Sequence, residues 1–226
     1  MNRYNIFYQV HKGLREMLYD TASRLQQTDF NQPEETSFIL KQVSTVTGLF
    51  DHHAATEDSM ILPAIEKYEP SVSTLFAEEH VQDHALGEKL RSIIKGVQEA
   101  ASQNDKNTWG TLLRPVFIEF MVFNLEHMAK EEEVLNKLLW RYYSDEELHG
   151  ITEKILAHLP PEILQQHSVW MLRSQSNSEI VAWLKQVGAT APDFIFRGLV
   201  EAAEKELPEQ RWRVVRESLR DGALAA

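Results

Sequence analysis

The 226-residue sequence contains no cysteine. Structural disulfides, zinc–thiolate sites, iron–sulfur clusters and thiol nucleophiles are excluded with it. A basic run is also missing: 23 Lys and Arg stand against 34 Asp and Glu, for a formal net charge of −11. Nucleic-acid binding needs clustered cations to neutralise phosphate, so no nucleic-acid partner is expected, and the acidic surface serves solubility. No apolar run approaches the roughly 20 residues of a membrane span. Residues 1–8 alternate polar and apolar and lack the apolar stretch of a signal peptide. The expectation is therefore a cytoplasmic protein with no membrane attachment. What is present, 43% hydrophobic and 25% charged residues, suffices for a packed core.

The periodicity is helical nearly throughout, and strand signals are absent. From Asn5 to about Gln27, Phe7, Val10, Leu14, Leu18, Ala22 and Leu25 recur at steps of three and four, with His11 among them. A second helix runs from about Glu34 to Ile61 or beyond, where Pro63 is expected to kink or end it. Glu69-Pro70 marks a turn. A third helix spans roughly Ser71 to Ala101, Gln103 to Asp105 reads as the next turn, and a fourth helix runs from about Asn107 to Trp140. Four long helices with short polar breaks predict an all-α, up-down-up-down four-helix bundle over residues 1–143.

A helical C-terminal extension, residues 144–226, follows as a second region. Ser144 to Glu147 and Ser176 to Glu179 are capping boxes. Pro160-Pro161 separates two segments, Gly188 stands where a C-terminal cap belongs, and Pro192 and Pro208 suit first helical positions. Three to five short helices are expected from 144 to 220.

The chemistry lies in where histidine and carboxylate fall on the inner faces. Helix one contributes His11, helix two His53 and Glu57, helix three His80 and His84, and helix four His127 and Glu131. A four-residue step keeps two side chains on one face, one turn apart. Measured from the turns, the mismatches between successive helices are two or three residues, about 3–5 Å at 1.5 Å per residue, so all seven groups can lie at one depth. Five imidazoles, two bridging carboxylates and a bridging oxygen would fill all but one position of two octahedral ions, leaving that position for a small molecule. Nitrogen and oxygen ligands without sulfur suit iron, and manganese, zinc or cobalt could occupy the same donors. His52, one position before His53, turns about 100° away from the inner face and is expected on the outside. His149, His158 and His167 lack carboxylates at ligand spacing and read as structural.

These motifs resemble the hemerythrin-like, His-His-Glu cation-binding family over about residues 5–140. The lone first-helix His matches His11, the second-helix pair His53 and Glu57, the third-helix pair His80 and His84, and the fourth-helix pair His127 and Glu131. "SMILPAIE" after Glu57 is similar as well. The resemblance implies an oxo- or hydroxo-bridged di-iron site that binds dioxygen or a related diatomic, or senses or stores it or iron. One departure stands out: oxygen carriers of the family place an Asp five residues after the last His, whereas here Glu131 stands at four and Glu132 at five. Glu131 is the preferred ligand.

Three functions remain open on this reading. The first is a non-enzymatic di-iron protein for sensing, storage or delivery of a small ligand, with no catalytic residue. The second is a redox protein that handles nitric oxide or peroxide, or supplies iron for cluster repair. The third is an interaction module that the metal only staples, forming a homo-oligomer or meeting a protein partner through the C-terminal extension.

Overall fold

The computed structural model describes residues 3–223, with side chains as far as 220. Every regular element among them is helical: α1 (Tyr8–Gln27), α2 (Pro33–Thr56), a π-helical turn (Glu57–Ile61), α3 (Leu62–Glu66), α4 (Pro70–Glu99), α5 (Gln103–Lys130), a second π-helical turn (Glu131–Leu135) and α6 (Asn136–Tyr142). The shorter α7 (Asp145–His158), α8 (Pro161–Ser174), α9 (Asn177–Thr190), α10 (Asp193–Glu206) and α11 (Glu209–Ala223) follow. The fold class is the expected all-α helical bundle with short helices after it.

Local chemistry sets the helix starts. Pro33 and Pro70 open α2 and α4, where an N–H has no intrahelical acceptor to serve. The Ser102 hydroxyl accepts from the Asp105 N–H, so Gln103 to Asp105, expected as a turn, is instead the capped first turn of α5. Pro63 does not end the second helical run. It enters the first turn of α3 directly behind the π turn, and the chain continues to Glu66.

The inner faces follow a strict alternation of three- and four-residue steps, the seam of a bundle. On α1 and its flanks the seam residues are Phe7, His11, Leu14, Leu18, Thr21, Leu25 and Thr28, with Gly13 and Met17 buried beside them. On α4 they include Ser73, Phe76, His80, Asp83, Gly87, Leu90, Ile94 and Val97. On α5 the seam runs through Gly110, Leu113, Phe117, Phe120, Asn124 and His127 to Glu131.

The described chain forms two compact units. One comprises residues 3–8 and 17–160, and α7 belongs to it, so this unit runs past the 143/144 division expected from the sequence. Leu148 of α7 joins Phe7, Ile61, Leu62, Ile65, Phe76, Leu135 and Leu139 in one apolar cluster. Arg3 donates to Asp145 at 2.8 Å, and the Tyr4 ring stacks on His149 with centroids 3.9 Å apart. The capping box of Ser144 and Glu147 starts α7 as expected. Elsewhere in this unit, the Phe30 ring presses on Gly110 so closely that a Cβ there would lie 2.4 Å from Phe30 Cγ.

The other unit comprises residues 9–16 and 161–223. Leu172, Ile180, Leu184, Ala203, Leu207, Trp212 and Val215 form its core, and Ser176 and Glu179 make the expected capping box of α9. Gly188 is not a helix cap. It lies inside α9, where the Phe196 ring would stand 3.3 Å from an added Cβ, and no described glycine has positive φ. No described helix is long and apolar enough to cross a membrane.

Candidate metal centre

α2 and α5 deliver their functional residues in the same way. Each carries a His on its seam and a Glu four residues on, His53–Glu57 and His127–Glu131, and each Glu is the first residue of a π turn. The turns close with bonds from the Leu62 N–H to the Glu57 carbonyl and from the Asn136 N–H to the Glu131 carbonyl, each spanning five residues. π turns are uncommon and concentrate at functional sites. Here they occur as a matched pair.

Glu57, His80, His127 and Glu131 each bring one ligand atom to within 4.8 Å of the others, and all four side chains are buried. His53 stands in the same relation to Glu57 and Glu131. His127 Nε2 lies 3.0 Å from Glu131 Oε1, His53 Nε2 3.3 Å from Glu57 Oε1, and His80 Nε2 3.4 Å from Glu57 Oε2 and 3.8 Å from Glu131 Oε1. Two donors at right angles, each about 2.1 Å from an ion, lie about 3 Å from one another. The spacing is that of atoms arranged around cations.

The outer ring nitrogens are already committed. His80 Nδ1 donates to Asp58 Oδ1 at 2.6 Å, and His127 Nδ1 donates to Glu79 Oε2 at 2.8 Å. Lys130 holds the other Glu79 oxygen at 2.7 Å. A carboxylate on the far nitrogen fixes the ring's tautomer and orientation, and turns Nε2 inward as the ligand atom. Both inward atoms, His80 Nε2 and His127 Nε2, are buried and make no directed hydrogen bond. The donor set therefore fits divalent metal binding.

Electrostatics points the same way. Burial opposes charging His80, yet the Glu131, Glu57 and Asp58 carboxylates outweigh it and push its pKa up to about 11. His127 is raised for the same reason, burial being overcome by Glu131, Glu79 and Glu57. Two carboxylates enclosed at this depth demand positive charge, and without metal ions protons on the imidazoles supply it.

His11 is fully buried on α1, in the same seam as Leu14, Leu18 and Leu25. His84 is not brought into the group. Its side chain is 64% exposed, and its Nδ1 lies 3.2 Å from Asp51 Oδ1. The reason is the phase of the α4 seam: Phe76 to His80 is the four-residue step, so the next inward position is three on, at Asp83. Glu131 joins the group, while Glu132 is only half-buried. His52 is exposed, as expected, and so are Tyr8 and Tyr19.

Sequence reasoning missed Asp58 and Glu79, although each stands beside a ligand candidate in the chain. It also missed Asp83, buried and bonded to Asn124 Nδ2 at 2.6 Å, its pKa raised by burial. Asp83 and Asn124 each occupy the seam position three residues from a histidine of the group.

A helical bundle with paired His and Glu buried at one depth defines a cation-binding bundle protein. The chain belongs to the hemerythrin HHE cation binding domain family, whose sequence profile matches residues 2–139. It is similar to F-box/LRR-repeat protein 5 of Salmo salar, with 23% identity over 174 residues covering 74% of this chain and 24% of that protein. The Mus musculus protein of the same name is 22% identical over 171 residues, covering 74% and 24%, and the Danio rerio protein 24% over 153 residues, covering 67% and 22%. The chain spans about a quarter of the length of these relatives.

Proposed function

We propose that the bundle holds two iron ions and binds dioxygen or another small diatomic ligand, for sensing, storage or delivery. His53, His80 and His127, together with Glu57 and Glu131, would hold the ions. The observation that carries this reading is the buried convergence of Glu57, His80, His127 and Glu131, with Asp58 and Glu79 fixing the imidazoles from behind. An iron pair supplies electrons and open coordination positions for a diatomic ligand. Imidazoles with only two carboxylates place less negative charge at the centre than the four-Glu, two-His set of ferritin-like oxidases. This balance favours the ferrous state and reversible binding over hard oxidation.

Metal analysis of the purified chain tests the reading, together with its visible spectrum before and after anaerobic reduction and return to air. About two irons per chain, with absorption that bleaches and returns, support it. No stoichiometric metal after iron loading refutes it. Turnover of peroxide or nitric oxide by the loaded chain would move the protein to the redox class. A second reading, an interaction module stapled by metal, is favoured by the separate apolar core of residues 161–220 and predicts a stable complex formed through that region.

A further inference from the structure

Asn136 follows the second π turn and is 1% exposed, yet neither Oδ1 nor Nδ2 has a hydrogen-bond partner among the described residues. Its surroundings are apolar: Leu135 and Leu139 on either side along the chain belong to the cluster of Phe7, Ile61, Leu62, Ile65 and Phe76. A buried amide without a partner is a rare and unfavourable feature in a folded core, and calls for a group that it addresses.

The backbone says where that group lies. The Asn136 N–H bonds the carbonyl of Glu131, so Asn136 sits one π turn above Glu131 on the same face. Side chains on a helix lean toward its N-terminus, which directs the Asn136 side chain back toward the turn that begins at Glu131. Leu62 occupies the equivalent place above Glu57, bonded to the Glu57 carbonyl across the other π turn. Two matched turns therefore set one residue a π turn beyond each candidate carboxylate ligand, one apolar and one an amide.

We propose that the Asn136 Nδ2–H donates a hydrogen bond to a small anionic or diatomic ligand held at the metal pair, and so sets how tightly that ligand is retained. The inference rests on the metal-centre reading above. Leu62 is buried and apolar, and the low dielectric of such surroundings strengthens a polar contact. A site that needed only to hold metal would have been better served by a second leucine.

The test uses the iron-loaded chain with azide as the probe. Asn136→Leu is expected to keep the wild-type metal content and lower azide affinity roughly tenfold or more, the loss of one hydrogen bond to a charged group. Asn136→Ala, which removes the amide without adding bulk, gives the same loss should the leucine variant fail to fold. The infrared stretch of bound azide shifts on transfer to D2O in the wild type, and that shift is absent from the variants. Unchanged affinity, or a D2O shift that survives in the variants, overturns the inference while leaving the metal centre standing. Wild-type chain that takes up no stoichiometric metal overturns the centre and this inference together.

Discussion

Asp58 and His80 meet at 2.6 Å, a carboxylate on the first π turn holding a ring nitrogen of α4. The contact ties the segment that supplies Glu57 to the helix that supplies His80, and it orients Nε2 inward. Removing such an outer partner typically lowers metal affinity 10- to 100-fold. Asp58 is about half exposed, so Asp58→Asn is expected at the lower end, about tenfold. Competition of the loaded chain against a chelator measures it, and an unchanged affinity would show the contact to be incidental.

His84 and His127 differ in outcome. His127→Ala should lower both metal content and the Tm of the loaded chain, because metal held only by the folded state stabilises it. In chelator a smaller Tm difference should remain, because the raised-pKa His127 ring also pairs with Glu131 and Glu79 in the metal-free fold. His84→Ala should leave both unchanged, since that side chain lies outside the buried group. Loss of one metal in His84→Ala would restore the ligand set expected from spacing alone.

Metal uptake should be linked to protons. With no metal, the His80 pKa is raised from 6.5 to about 11, so the ring keeps its proton across the neutral range, and a metal ion must displace it. Affinity is therefore expected to rise with pH, with protons released on loading. Calorimetry in buffers of different ionisation enthalpy reads the release. The sign for the metal-free fold is the reverse: the contribution of His80 is fully present below pH 6.5 and is lost as pH climbs through about 11.

Gly110→Ala should destabilise the bundle by about 1–3 kcal/mol, because the Phe30 ring is buried and must shift to admit a methyl group. Urea unfolding with an unchanged m-value checks it. A second substitution, Phe30→Leu, should recover part of the loss, since the two sites are in contact.

The helical class, the seams and most of the buried group were legible in the residues. His53–Glu57 and His127–Glu131 could be read because a four-residue step coincides with the four-residue step of their own seams. The same spacing misled at His80–His84, where the α4 seam takes its three-residue step. Helical spacing alone does not tell the two phases apart: that depends on which face a neighbouring helix covers.

The sequence by itself determined that the chain is all-helical, cysteine-free, capped at Ser144 and Ser176, and provided with histidine and carboxylate at ligand spacing. Composition and periodicity act locally, so one chain's residues are enough to state them. Only the tertiary structure decided that Asp83 rather than His84 faces inward, that α7 belongs with the bundle, and that Asp58 and Glu79 brace the imidazoles. It also decided that both glutamates open π turns, with Leu62 and Asn136 set above them. Each of these depends on how separate helices pack, and packing selects among rotations and hydrogen-bond registers that differ little in energy along any single helix.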